Sequence, residues 1–259
     1  MTTKPDKMKN IKNWLKKFDL TVSDVFGIIL RTLKLVVNFL ALIIFFIGLF
    51  GAGVGFGYIA SLFDTVKVPE STALVSRVTE LSRISKVVYS DNSLISEVKS
   101  DLLRIPVESA AISDNVKHAV IATEDETFES HNGVVPKAVL RAALGSVGLG
   151  SSSGGSTLTQ QLVKQQLVGD APTFTRKANE IVSALALERN MSKEDILTTY
   201  LNVSPFGRNN QGQNIAGVEE AAQGIFGKSA ADLTVPQAAF IAGLPQSPIV
   251  YSPYSSDGN

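Results

Sequence analysis

No charged side chain occurs between Lys34 and Asp64, and Asn38 is the only amide in that interval. About 20 apolar residues cross a bilayer as a helix, so the run of about 29 from Leu35 to Phe63 is long enough to span it with tilt or interfacial ends. This feature constrains the rest of the chain, which must fold as a body tethered to a membrane. Residues 1–34 hold Lys4, Lys7, Lys9, Lys12, Lys16, Lys17, Arg31 and Lys34 against Asp6, Asp19 and Asp24. The formal net charge is zero, so everything beyond residue 34 is acidic by the same margin. The basic flank predicts a single pass through the cell membrane, with the N-terminus cytoplasmic and the chain after Phe63 extracellular. A cleaved signal peptide is disfavoured, because its apolar core would run only about 7–15 residues. The glycines of Gly51-x-x-x-Gly55 and Gly53-x-x-x-Gly57 either let two helices approach closely or reflect the general abundance of glycine in membrane helices. The chain has no cysteine, so a packed core and not disulfides must hold the exported part.

These boundaries divide the chain into a basic tail (1–34), an anchor (35–63), a linker (64–84) and a globular region (85–259). Lys86 to Val98 reads as a short β-hairpin about Asp91-Asn92. Beyond the hairpin the patterning is mainly helical. Ser113 can cap a helix over 114–123 that brings Val116, Ala119 and Val120 to one side. Pro136 suits the first turn of a helix over 136–144. Ser156 opens a helix over 157–168, and Thr173 or Thr175 opens another that runs to about Asn190. Ser192-Lys-Glu-Asp195 resembles a capping box, and Thr234 can cap a last helix ended by Gly243-Leu-Pro245. The glycine- and serine-rich residues 145–155 are either a linker or a mobile lid.

Three clusters carry chemistry. Glu124, Asp125 and Glu126 interrupt the apolar run Ala119-Val-Ile-Ala122, so at least one carboxylate is carried toward the interior. A partly desolvated carboxylate is what a general base or acid near neutral pH requires. His131 lies a few residues on and either orients such a site or satisfies local backbone groups. In the second cluster, Gln160 and Gln161 offer donors and acceptors of the kind sugar hydroxyls need. In the third, Arg176, Lys177 and Glu180 share one helix face, as a surface ion pair or as a clamp for a phosphate-bearing substrate. Lys164 could add a further cation.

These residues resemble the motifs of the peptidoglycan glycosyltransferases (glycosyltransferase family 51) found in class A penicillin-binding proteins. Glu124-Asp125-x-x-Phe128-x-x-His131-x-Gly133 is similar to the first motif, and Gly155-Ser156-Thr157-Leu-Thr-Gln160-Gln161-Leu-Val-Lys164 to the second. Arg176-Lys177-x-x-Glu180 through Leu187-Glu188 resembles the third. Ile196-Leu197-x-x-Tyr200-Leu201-Asn202 resembles the fourth, and Gln237 through Pro253 the fifth. The stretch Val203 to Asn214 is most like members from Gram-positive cocci. The resemblance implies a mainly α, lysozyme-like glycosyltransferase domain with a short β-hairpin, preceded by one transmembrane helix. It implies polymerisation of lipid II with inversion, Glu124 as general base and Glu180 as the second catalytic carboxylate. It further implies Asp125, Phe128, His131, Ser156, Thr157, Gln160, Gln161, Lys164, Arg176 and Lys177 as substrate-binding residues. Glu180 would hold the cations or help bind a divalent ion (Mg or Mn), and no cofactor is certain. The expected partners are lipid II, the growing glycan strand, membrane lipid and proteins of cell division or elongation, with no nucleic acid. Two departures stand out. Thr198 occupies a place where the fourth motif commonly has an acid, and the chain stops before the last helices and the transpeptidase domain expected of such proteins.

Other classes fit less well. Ser96-x-x-Lys99 and Ser113-Asp-Asn115 are the pieces of a penicillin-binding serine acyltransferase, but they lie too close together and lack a Lys-Thr-Gly partner. A lysozyme-like hydrolase would have no use for the cations beside Glu180. A membrane-tethered scaffold that binds the wall precursor is the non-enzyme alternative. For the polymerase, Glu124 and Arg176 must border one groove.

Overall fold

The computed structural model describes residues 9–11, 13–14, 21–66, 68–81, 85–91, 93–98, 102–146 and 155–254. Residues 1–8, 12 and 15–20 of the basic tail, Asn92, Lys99 and the centre of the glycine-rich segment therefore lie outside the described residues. Two compact units emerge, residues 1–61 and 62–259.

The first unit is dominated by α1 (Val22–Asp64), a 43-residue helix. It is long and apolar enough to cross a membrane. At 1.5 Å per residue it reaches about 65 Å, twice the bilayer core, so only part of it is needed as a span. The helix starts 13 residues before the uncharged run and takes in Arg31 and Lys34. The hydrogen-bonded ladder continues beyond the stretch that lipid demands.

In the second unit α2 (Ser71–Thr79) buries Leu74 and Val78. The hairpin comes next as β1 (Ser85–Val88) and β2 (Leu94–Val98), antiparallel with an irregularity at Val87/Val88. Asp91 makes its turn by accepting from both the amide and the hydroxyl of Ser93. Ser96 therefore sits on a strand, not at the start of a helix.

A three-stranded sheet was not anticipated from the sequence. β3 (Leu102–Leu103) pairs in parallel with β5 (Asn214–Ala216), which pairs antiparallel with β4 (Pro205–Arg208). Strands of two to four residues are too short to show alternation, and the β3–β5 pairing joins segments about 110 residues apart.

The helices run α3 (Asp114–Glu124), α4 (Pro136–Ser146), α5 (Leu158–Val163), α6 (Phe174–Glu188), α7 (Lys193–Val203), α8 (Val218–Phe226), α9 (Val235–Gly243) and α10 (Pro248–Tyr251). Ser113 caps α3 by accepting from the Asn115 amide, a structural use of the serine that an acyltransferase would have needed for its chemistry. Thr173 caps α6. Ser192 caps α7, but Asp195 returns its carboxylate to the Ser192 hydroxyl and not to the cap backbone. Thr234 and Gln237 form the capping box of α9, and α10 comes after it as a further short helix.

The cap of α5 is Thr157, not Ser156. Gln160 at the third helical position completes a reciprocal box with Thr157, an option Ser156 lacks one residue earlier. Residues 164–168 then widen into a π-helical turn that ends at Gly169. Short α5 packs against both α6 and α7, and α3 packs against α9. Leu158, Leu162, Val163, Leu187, Ile196, Tyr200 and Leu201 lie in the core where these helices meet.

Candidate active site

Glu124 is the last residue of α3. A carboxylate at a helix C-terminus meets the negative end of the dipole, so helix stability does not explain its placement. Asp125 leaves helical geometry at φ −161°, and residues 126–133 form the next turn. The acid that goes inward is Asp125, 8% exposed. Its Oδ2 accepts from the Leu158 amide at 3.0 Å and from His131 Nε2 at 2.8 Å, and Thr127 donates to Oδ1 at 3.3 Å. Gly133 N–H donates to His131 Nδ1 at 3.0 Å, which places the ring proton on Nε2. His131 thus both orients the acid and satisfies local backbone.

Gly133 has φ +90°, and a Cβ there would stand 2.7 Å from the carbonyl oxygen of Ala184. The motif glycine lets the loop lie directly on the backbone of α6. Phe128 is fully buried, edge-on to His131 and 4.5 Å below the Lys193 ammonium. It has no face for a ligand and serves as packing beneath the loop. Lys193 also donates to His131 O at 2.6 Å and to Glu188 Oε1 at 2.8 Å, and Thr159 donates to that same oxygen at 2.6 Å. The first motif is therefore clamped to α6 and α7 by a buried polar network that was not anticipated from the sequence. Glu188, at the end of the third motif, is the acceptor at its centre.

Glu124 remains half-buried and lines an open cleft of about 420 Å³. Asp125, Ser156 and Thr157 also border it, and Lys137 and Arg141 of α4 supply its cations. Neither cation was foreseen, although their spacing of four residues on the expected helix was a readable signal. Gln161 Nε2 donates to Glu124 Oε2 at 2.9 Å, and Gln161 Oε1 accepts from the Tyr200 hydroxyl at 3.1 Å. Burial first, and then the charge of Glu124, push the Tyr200 phenol upward, so it keeps its proton.

Glu180 is 1% exposed. One oxygen pairs with Arg176 and the other with Lys177, and Gln160 Nε2 donates to the latter at 3.3 Å. Both oxygens are engaged by cations. No cluster of three or more ligating side chains occurs among the described residues. Lys177 Nζ donates to Ser156 Oγ at 2.8 Å, which ties the cation pair to the end of the cleft. Gln160 itself is fully buried and acts between Thr157 and Glu180.

Arg176 does not line the cleft, so the expectation that it borders one groove with Glu124 is not met; it is held by Glu180 and by the Ala171 carbonyl, and the third-motif helix reaches the cleft only through Lys177 on Ser156. Lys164, at the start of the π-helical turn, is also off the cleft and bonds Asp170 at 2.7 Å. Its hydrogen bond and charge hold Asp170 below the usual carboxylate range.

A larger cavity of about 770 Å³ lies elsewhere, bordered by Val75, Arg104, Glu108, Asp195, Thr198 and Asn202. It contains neither Glu124, Asp125 nor Glu180, so size alone would misplace the chemistry. Thr198, where the fourth motif commonly carries an acid, faces this cavity and not the cleft. Arg104 borders it with its Nε buried and unpaired among the described residues.

The cleft of this small α-rich domain thus sets a half-buried acid beside two cationic side chains. The family description "Transglycosylase" matches residues 91–259. Penicillin-binding protein 1A of Clostridium tetani is 39% identical over 64% of this chain and 21% of its own length. Penicillin-binding protein 1A of Pseudomonas aeruginosa is 37% identical over 75% of this chain and 23% of its own. Penicillin-binding protein 2a of Streptococcus pneumoniae is 43% identical over 58% of this chain and 19% of its own. The chain belongs to the transglycosylase family, and it spans about a quarter or less of the length of these relatives.

Proposed function

We propose that the domain polymerises lipid II into glycan strands of the cell wall. The observation that carries this reading is the half-buried Glu124 carboxylate on a cleft bordered by Lys137 and Arg141, with Ser156 and Lys177 at its end. Glu124 takes the proton from the C4 hydroxyl of an acceptor GlcNAc. That oxygen forms a bond to the anomeric carbon of a lipid-diphosphate-linked MurNAc, and the bond from this carbon to the diphosphate oxygen breaks with inversion. The diphosphate leaves as an anion, so it needs stabilising charge more than a proton. Lys137, Arg141 and Lys177 supply that charge, while Glu180 holds Lys177 and Arg176 in fixed positions.

The anchor keeps the enzyme where a lipid-linked donor resides. Residues 1–34 form the cytoplasmic tail and 35–63 the span; of the expected linker 64–84, Ser71–Thr79 is instead a helix packed into the globular body, which works outside the cell. The basic flank of the span supports this orientation. The test is incubation of the detergent-solubilised chain, and of its Glu124→Gln variant, with labelled lipid II. Glycan chains should form with the former and fall at least about a thousandfold with the latter. Full polymerisation by Glu124→Gln would refute the assigned base. Cleavage of finished glycan would point to a hydrolase, and saturable binding without turnover to a scaffold.

A further inference from the structure

Tyr200 is fully buried in α7, yet its hydroxyl reaches the amide that holds Glu124. The two ends of a primary amide are nearly the same size, and its orientation is decided by what each end meets. Tyr200 stays protonated, with the Ser204 hydroxyl against its oxygen, and has one hydrogen to give. Gln161 Oε1 takes that hydrogen, which turns the NH₂ end toward Glu124. The reverse orientation would set a carbonyl oxygen against a carboxylate oxygen, two acceptors without a proton between them. Among the described residues no other donor reaches Gln161 Oε1, and no other group bonds Glu124.

We propose that Tyr200 is a positioning residue for glycosyl transfer. It fixes the Gln161 amide, which holds Glu124 by Oε2 and leaves Oε1 free for the acceptor's proton. The inference rests on the reading of Glu124 as the base. Lys137 and Arg141 act on the same carboxylate only through the open cleft, and Asp125 is fully engaged with His131 and Leu158. The aim of Glu124 therefore depends on the chain of contacts from α7 through α5. Removing the Tyr200 hydroxyl leaves its ring in the core but frees the amide, and a base that samples wrong directions loses near-attack geometry.

The experiment measures lipid II polymerisation by the solubilised chain carrying Tyr200→Phe, Gln161→Leu, or both. Tyr200→Phe should lower kcat about tenfold with KM within about twofold, because the phenol touches no substrate. Gln161→Leu should lower kcat at least as much, and the double variant should be no slower than Gln161→Leu alone. Unchanged kcat in Tyr200→Phe, a loss confined to KM, or losses that multiply in the double variant would overturn the proposal. If Tyr200→Phe fails to fold by circular dichroism, Gln161→Leu decides, and full kcat in that variant overturns it. Glu124→Gln run alongside separates the two readings. Activity in Glu124→Gln removes the base, whereas an inactive Glu124→Gln beside an unaffected Tyr200→Phe removes only the positioning role.

Discussion

Asparagine and alanine at position 125 should differ sharply in cost, because of how the Asp125 carboxylate is used. Two N–H groups, from Leu158 and His131, converge on a single oxygen. An asparagine carbonyl can accept both, and its NH₂ can donate to Thr127 in place of the hydrogen bond now running the other way. What is lost is charge assistance, about 1 kcal/mol. Alanine leaves both donors without an acceptor at a site only 8% exposed. Each costs about 1–2 kcal/mol, and water entering from the cleft relieves part of the sum, for about 3 kcal/mol in all. For a domain of this size these losses lower the melting temperature by about 3 °C for Asp125→Asn and about 10 °C for Asp125→Ala. Thermal unfolding of the solubilised chain at pH 7, followed by circular dichroism, measures both. Melting temperatures within about 2 °C of each other would refute the claim that this carboxylate is the anchor of the loop and of the α5 N-terminus.

Gly133→Ala should destabilise the domain by about 2–4 kcal/mol in denaturant titration, since its Cβ would strike the Ala184 carbonyl from a left-handed conformation. Lys137→Ala with Arg141→Ala should lower kcat/KM for the diphosphate-linked donor about tenfold while the melting temperature stays put, because both side chains are exposed. The Glu220 carboxyl is raised above its ordinary value of 4.5, chiefly by burial and then by the charge of Glu219. The folded state binds that proton more tightly than the unfolded state, so stability falls as pH climbs through the window above 4.5 and stays lower at pH 7. Glu220→Gln should therefore raise the melting temperature slightly at pH 7, with the gain vanishing below about pH 4; an equal gain at both pH values would contradict the cause given.

Local signals in the sequence carried most of the helices. Ser113, Pro136, Thr173, Ser192 and Thr234 each mark a start by chemistry that acts within one turn. The three-stranded sheet had no such marker, because its register comes from tertiary pairing. The motif order made Glu124, Glu180 and the paired glutamines stand out, but depth could not be read from it. Three adjacent acids look alike in a sequence, and only folding distinguishes exposed Glu126, half-buried Glu124 and buried Asp125. Phe128 has the same ambiguity, since an aromatic in a motif is as readily a floor as a contact. Lys137 and Arg141 went unread because the cleft that gives them meaning is made by elements on either side of the glycine-rich segment.

Gln160 and Gln161 are consecutive residues on a helix of six, and they grip different acids. One turn of α5 therefore works like a shared axle. A twist that shifts the proton acceptor also shifts the partner of the cation pair, so neither can be retuned alone. Variants that loosen the Thr157 end of this axle should impair both halves of the reaction together, and compensating changes should arise in the bearings on α6 and α7 sooner than at either acid.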